Sequence, residues 1–411
     1  MNLQLAVSTS LLAHLYPIKL QFTSNKMVAQ IAVPRILRIG SGAFAETREV
    51  LQILGLQNPL IVTDPYIRKR GLARLLADSL SVLGRPRIFS EIVPDPSVAA
   101  VEAGLDFLKR GQHDCVIGLG GGSSIDTAKA IAVLGIHGGK MRDYKAPHNQ
   151  NESGLPIIAI PTTAGTGSEA TRYTIVTDQE TNEKMLCIGL AYLPLAAMVD
   201  FELSMTKPMR LTADTGVDSL THAIEAYVSR RANGFSDSFA LSAMRAIWTN
   251  LPTACFQPEN RDAREAMMLA ATQAGIAFSN SSVALVHGMS RPIGAKFHVP
   301  HGMSNAMLLP AVTEFSVSAA VGRYAECARA MGMLAANSSD AEAVALLVRN
   351  LHALNLTLKV PTPAEFGIDR EAWEESIPSM VQQALASGSP ANNPRVPSEV
   401  EMKGLYREIW K

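Results

Sequence analysis

CVIGLGGGSSIDTAK, from Cys115 to Lys129, runs from an apolar strand into a helix through three consecutive glycines, Gly120, Gly121 and Gly122. A strand of this apolar character, without polar alternation, belongs inside a parallel sheet covered on both faces. Glycines at its end let backbone N–H groups approach a diphosphate closely, and the helix start adds partial positive charge. Gly121, Gly122, Ser123 and Asp126 are therefore candidate cofactor contacts. The run is not a strict GxGxxG, and on its own it reads equally well as a tight capped turn.

Outward from this point, short apolar runs alternate with helical stretches. The strands expected are Ile36–Ile39, Leu60–Thr63, Ile88–Ile92, Cys115–Leu119, Ile157–Ile160, Ile175–Thr177, Met185–Ile188 and Met198–Asp200. Between them lie helical patterns such as SVAAVEAGLDFLKRG, which starts after Pro96 with Ser97 as a cap and stops at Gly111. Strands alternating with helices imply crossover units and a mainly parallel, Rossmann-like sheet. A second glycine- and hydroxyl-rich run, IPTTAGTGSEAT (160–171), follows another strand and offers the hydroxyls of Thr162, Thr163, Thr166 and Ser168. Two such loops at strand carboxyl ends converge on one crevice. Asp64, closing the strand LIVTD, can accept from an adenosine ribose and would repel a 2′-phosphate, which selects NAD over NADP. Alone it reads as a helix cap before Pro65.

After Thr206 strands become rare, and alanine- and methionine-rich helices dominate: TGVDSLTHAIEAYVSR, DSFALSAMRAIWTNL and AREAMMLAATQAGIAFS. The expected organisation is an extension over 1–30, a dinucleotide-binding α/β domain over 31–206 and an all-α metal-binding domain over 207–411. Ser387–Pro397 reads as a loop before a last helix, VEMKGLYREIW. Asp218 and His222 are four residues apart, on one face of a helix. LVHGMSRPIGAKFHVPHGMSNA then places His287, His298 and His301 within one short segment. Three imidazoles and a carboxylate make a borderline site suited to Fe²⁺ or Zn²⁺. Each residue alone is more simply a core or cap residue; the joint arrangement carries the inference.

Composition narrows the function. Lys plus Arg equals Asp plus Glu at 37 each, so no general field draws in nucleic acid or anionic membrane. A small-molecule substrate fits a neutral chain. Cys115, Cys187, Cys255 and Cys327 are far apart, two of them inside apolar runs, which reads as buried reduced thiols and a cytoplasmic setting. The first thirty residues lack the basic leader of a signal peptide; their lack of acidic residues before Glu46 fits an organelle transit segment, though arginine is scarce, and the alternative is that Met27 is the natural start. No apolar run is long enough to span a bilayer.

Taken together, GGGSSIDTAK, PTTAGTGSE, GVDSLTHAIEAY, the His287–His301 segment ending PHG, and ANNPRVPSEVEMKGLYREIW resemble the iron-containing (group III) alcohol dehydrogenase family, in order and spacing, over roughly Val33 to Trp410. The resemblance implies a dehydroquinate synthase-like architecture with the metal between the domains, ligated by Asp218, His222, His287 and His301. It implies NAD contacts from Asp64, Gly121, Gly122, Ser123, Thr162, Thr163, Thr166 and Lys184, a small alcohol or aldehyde substrate, and a homodimer. In one respect the chain departs from the family. Many members carry a second histidine four residues after the third ligand, assigned to proton relay; here that position is Arg291, which stays charged and exchanges protons poorly near neutral pH. Three readings stand open: proton exchange passes to His298, a hydroxyl or water; Arg291 binds a substrate anion; or it forms a structural ion pair. The competing assignments for the whole chain are a zinc-dependent polyol dehydrogenase on the same fold and a catalytically silent homologue.

Overall fold

Six strands form one all-parallel sheet in the order β1-β8-β5-β4-β2-β3. The computed structural model describes residues 28–334 and 337–410; the expected extension over 1–30 lies almost wholly outside them. In chain order the first elements are β1 (Ile36–Ile39), α1 (Thr47–Leu54), β2 (Pro59–Thr63), α2 (Pro65–Lys69), α3 (Leu72–Leu80), β3 (Arg87–Phe89), α4 (Val98–Lys109), β4 (Cys115–Gly120) and α5 (Gly122–His137). Then come β5 (Ile157–Pro161), β6 (Tyr173–Asp178), β7 (Glu183–Ile188) and β8 (Ala196–Val199).

β2, β4 and β5 are buried at every residue because helices cover both faces of the sheet. Successive side chains alternate between those faces: Leu60 and Val62 join Val101, Leu105 and Ile131 on one side, while Ile61 joins Val50, Leu76 and Ile117 on the other. The chain leaves β2 toward the β3 margin and leaves β4 toward β5, so the winding direction reverses between β2 and β4. Ligands of open parallel sheets bind in the crevice at such a reversal, beyond the strand carboxyl ends. Registers Thr63↔Leu119 and Gly120↔Pro161 bring Asp64, Gly121 and Thr162 to that edge side by side.

Some expected boundaries shift. The strand expected over Ile88–Ile92 ends at Phe89, because this margin strand has β2 as its one partner and pairing stops at Val62↔Phe89. β6 and β7 pair with each other as an antiparallel hairpin apart from the main sheet. Asp200 falls just past β8, where its carboxylate accepts from the backbone N–H groups of Glu202, Gly42 and Phe44.

The remainder is helical: α6 (Met209–Val228), α7 (Gly234–Phe256), α8 (Arg261–Ser279), α9 (Leu285–Phe297), α10 (His301–Ser316), α11 (Val321–Ala330), α12 (Asp340–Thr357), α13 (Arg370–Ala386) and α14 (Glu399–Glu408). Ser97, the cap read from the sequence, accepts from Ala100 ahead of α4, and Ser398 pairs with Glu401 in a capping box at α14. The helical core is one apolar cluster centred on Leu220, Met244, Leu285, Leu308 and Trp373. The described chain from Ile31 onward forms one compact unit, so the sheet and the helices share a body. All four cysteines are buried and unpaired. Among the described residues no helix is long and apolar enough to cross a membrane.

One close approach positions the site. A Cβ added at Gly302, the second residue of α10, would collide with the Asp214 carbonyl and reach within 3.3 Å of the Asp218 Cβ on α6. Gly302→Ala must therefore push α10 away from α6. We expect a loss of about 1–3 kcal/mol in stability from this overpacking, read as a lower urea midpoint, together with reduced metal content, since His301 moves with the helix. Unchanged values for both would show that the two helices need no contact here.

Candidate metal and dinucleotide site

The helical amphipathicity that places Asp218 and His222 on one face also turns both into the interior, where neither is more than 4% exposed. α9 and α10 bring their histidines to the same oxygen. His287 Nε2, His301 Nε2 and His222 Nδ1 lie 3.4, 3.7 and 3.9 Å from Asp218 Oδ1. Ligand atoms bound at 2.0–2.2 Å around a tetrahedral ion sit roughly 3.4 Å apart, so these spacings suit a shared cation. Asp218, His222 and His287 form the tightest group, with ligand atoms all within 4.8 Å of one another. His301 closes on Asp218 but is the most exposed of the four, at 25% of its side chain. The rings stack in a column: Phe278 on His222 at 4.2 Å, His222 on His287 at 4.3 Å, and His287 beside His301 at 5.4 Å.

Two buried polar groups around this cluster were not singled out in the sequence. Glu225 accepts from the backbone N–H groups of Ala284 (2.9 Å) and Val286 (2.6 Å) and pairs with His287 Nδ1 at 2.6 Å. A proton held on Nδ1 leaves the Nε2 lone pair facing Asp218, which is how a carboxylate orients a ligating imidazole. Glu225 continues the Asp218–His222 face by three residues, and that spacing was the available signal. Asn305, four residues after His301, places its amide nitrogen 2.6 Å from Asp218 Oδ1, 3.1 Å from His287 Nε2 and 3.3 Å from His301 Nε2. A polar hydrogen donor thus sits where three ligand atoms converge. His222 Nδ1, buried and aimed at the same place, has no hydrogen-bond partner among the described residues. An orphaned imidazole nitrogen beside a buried carboxylate is the donor set that a divalent cation completes.

Electrostatics agree with ligand readiness. Burial drives His222 well below its ordinary pKa, and burial takes His301 down to about 4 despite Asp218. Both rings are neutral at neutral pH. His287 is the exception: burial opposes its proton, but the Glu225 and Asp218 carboxylates outweigh burial and raise its pKa. The Asp218 carboxyl is held low, with the three histidines overcoming a large burial penalty.

On the sheet side, α5 opens at Gly122 with Gly121 as its cap residue, so first-turn amides lie at the strand edge. Ser124 Oγ and Thr162 Oγ1 are buried there and have no hydrogen-bond partner among the described residues. Thr163 lies near Gly121 and Thr166 near Gly122; Ser123 is half-buried in the same turn. Asp64 serves two roles: Oδ1 caps α2 through Ile67 N–H at 2.8 Å, while Oδ2 lies beside Gly120. These residues fit a dinucleotide. Lys184, on β7, is buried against Gly294 of α9 and pairs with Asp95 at 2.7 Å, between the sheet side and the histidine side. Its own carboxylate partner was not anticipated.

Two candidates sit elsewhere. Asp126 turns its carboxylate away from the glycine turn, accepting from Ser168 Oγ (2.6 Å) and Ile175 N–H (2.9 Å), so one oxygen braces the second loop and the other braces β6. His298 is exposed at the C-cap of α9 in a left-handed conformation, outside the buried cluster. Arg291, by contrast, is buried next to the site, and its charge depresses both His222 and His301.

The second loop and the helices are locked together. Ser219 Oγ, next to Asp218, donates to Gly165 O at 2.8 Å, and Thr272 Oγ1 of α8 donates to Glu169 at 2.7 Å. Gly167, at φ +61°, meets Gly275 backbone to backbone, an approach no side chain would allow. The second loop is thus held against α6, which carries Asp218 and His222, and against α8.

A doubly wound parallel sheet with a glycine-turn crevice is thus joined to an all-helical half that buries a carboxylate among three histidines. Residues 34–201 match the family model described as iron-containing alcohol dehydrogenase, and residues 212–410 match the C-terminal model of the Fe-containing alcohol dehydrogenase family. The chain belongs to the iron-containing alcohol dehydrogenase family. It is 37% identical over 366 residues to the NAD-dependent methanol dehydrogenase of Bacillus methanolicus, covering 89% of this chain and 95% of that protein. Its fold superposes on the crystal structure of 1,3-propanediol oxidoreductase with a TM-score of 0.88 at 33% identity, over 93% of this chain and all of that one. It likewise resembles sulfoacetaldehyde reductase from Bifidobacterium kashiwanohense in complex with NAD+, with a TM-score of 0.84 at 28% identity, over 94% of this chain and all of that one.

Proposed function

We propose that this protein is an NAD-dependent alcohol dehydrogenase or aldehyde reductase in which Asp218, His222, His287 and His301 hold a divalent metal, with Fe²⁺ favoured over Zn²⁺. The observation that carries the reading is the convergence of three imidazole nitrogens on one carboxylate oxygen at 3.4–3.9 Å, beside two hydroxyl-lined glycine turns. When bound, the metal supplies a Lewis acid for a carbonyl or alkoxide oxygen, and NAD supplies or accepts the hydride.

The chain's own residues do the rest. Glu225 fixes the His287 tautomer. The Gly120–Gly122 turn, the Ser124 and Thr162 hydroxyls and the start of α5 bind the diphosphate, and Asp64 selects the unphosphorylated adenosine ribose. Lys184, tethered by Asp95, reaches from the hairpin toward the ribose and histidine side. The column of Phe278, His222 and His287 keeps bulk water from the buried face of the site. His301, the ligand with the most exposed side chain, marks the side from which a small alcohol or aldehyde enters. The division into domains at 206/207 belongs to the same reading, with the reacting centre between them.

Purified protein should carry a divalent metal and oxidise NADH in the presence of small aldehydes. A chelator should abolish that activity, and Fe²⁺ or Zn²⁺ should restore it. Metal-free protein with undiminished turnover, or chelator-insensitive NADH oxidation, would overturn the assignment.

A further inference from the structure

Arg291 is a buried cation that the site does not otherwise use. It is 7% exposed and sits on α9 four residues beyond His287, about 6 Å farther along the axis. Of its five N–H donors, one reaches a partner: Nη1 donates to Ser389 Oγ at 3.0 Å, while Nε is buried with none. Among the described residues it enters no ion pair. The carboxylate whose charge it feels, Glu225, already serves His287 and two backbone amides. Burial lowers the guanidinium pKa to about 10, so it keeps its charge at neutral pH.

Arg291 lines a cleft with Lys145, Glu183, Lys184, Gln383 and Ser387. The other two cations of that cleft are matched, Lys184 by Asp95 and Lys145 by Glu183. Among the described residues, Arg291 is the one cation of that lining without a carboxylate partner. A buried unpaired charge is costly, and a guanidinium fork matches a carboxylate in two parallel hydrogen bonds.

We propose that this cleft takes the anionic end of the substrate, so that the enzyme acts on short-chain aldehydes and alcohols bearing a carboxylate away from the reacting carbon, with Arg291 as the specificity-determining residue. The proposal rests on the dehydrogenase reading above. In the reduction of 4-oxobutanoate the carbonyl carbon takes hydride from NADH and its oxygen takes one proton, giving 4-hydroxybutanoate and NAD+. The carboxylate does not react.

The test compares kcat/KM for 4-oxobutanoate and butanal in the metal-loaded wild type, Arg291→Gln and Arg291→Lys. The wild type should favour the anionic aldehyde, and Arg291→Gln should lower the ratio of the two values about 10–100-fold, as loss of a charge-assisted hydrogen-bond pair implies, with KM carrying most of the change. Arg291→Lys, keeping the charge but losing the fork, should fall between. Succinate should inhibit the wild type competitively with the aldehyde and raise the melting temperature of its NADH complex, but not that of Arg291→Gln. A ratio unmoved by either substitution, or succinate that neither competes nor stabilises, would overturn the proposal. Failure of both aldehydes would instead remove the dehydrogenase reading, and succinate-dependent melting of the wild type would still decide the anion site. If Arg291→Gln does not fold, Arg291→Lys and the wild-type succinate measurements decide it.

Discussion

Asp218→Asn should lower kcat/KM for aldehyde reduction by at least about 10³-fold, since electrophilic catalysis by a bound metal supplies several kcal/mol. The amide keeps the shape of the carboxylate and can still pair with Asn305, so the fold should survive. What it removes is the negative charge on which His222, His287 and His301 converge at 3.4–3.9 Å. Without it the three imidazoles surround a cation with no countercharge inside a buried pocket. Metal analysis of the purified variant should show a substoichiometric ion, and NADH affinity, measured by fluorescence titration, should change little because the glycine turns lie on the sheet. Wild-type metal content with wild-type turnover would show that Asp218 is not a ligand.

Glu225→Gln tests the layer behind the ligands. The carboxylate satisfies two backbone amides at the start of α9 as well as His287 Nδ1. Glutamine cannot accept from all three with full charge. Its side chain can also turn a donor toward Nδ1 and reverse the tautomer that leaves Nε2 free. Loss of such an orienting partner typically weakens metal affinity 10–100-fold, and weakening charge-assisted hydrogen bonds at a helix start should cost about 2 kcal/mol. Chelator-competition titration reads the first effect and urea unfolding the second. A metal affinity within twofold of wild type would reduce Glu225 to a helix-capping residue.

Much of the architecture was legible because it is encoded locally. Strand positions follow from apolar runs bounded by glycine and proline, and the start of α4 follows from Ser97, whose side chain bonds within its own turn. Asp218 and His222 share a helix face by periodicity alone. Two candidates lie apart from the clustered side chains, one through remote contacts and one through its own backbone. Asp126 lies in the glycine-turn motif, yet its carboxylate is claimed by Ser168 and Ile175, 42 and 49 residues later. His298 lies between two ligands in the chain, but a left-handed residue at the end of α9 leaves it exposed.

By itself the sequence determined the parallel sheet, the helical half, the two glycine-rich turns and the chemical types of the candidate ligands, because hydrophobic period, caps and turn residues act over a few positions. Tertiary structure decided which groups meet: Asn305 reaching Asp218 across 87 residues, Glu225 setting the His287 ring, the backbone contact at Gly302 that seats α10 on α6, and a guanidinium left without a carboxylate. Whether a buried charge is paired depends on every surface packed around it, and no local pattern of residues carries that information.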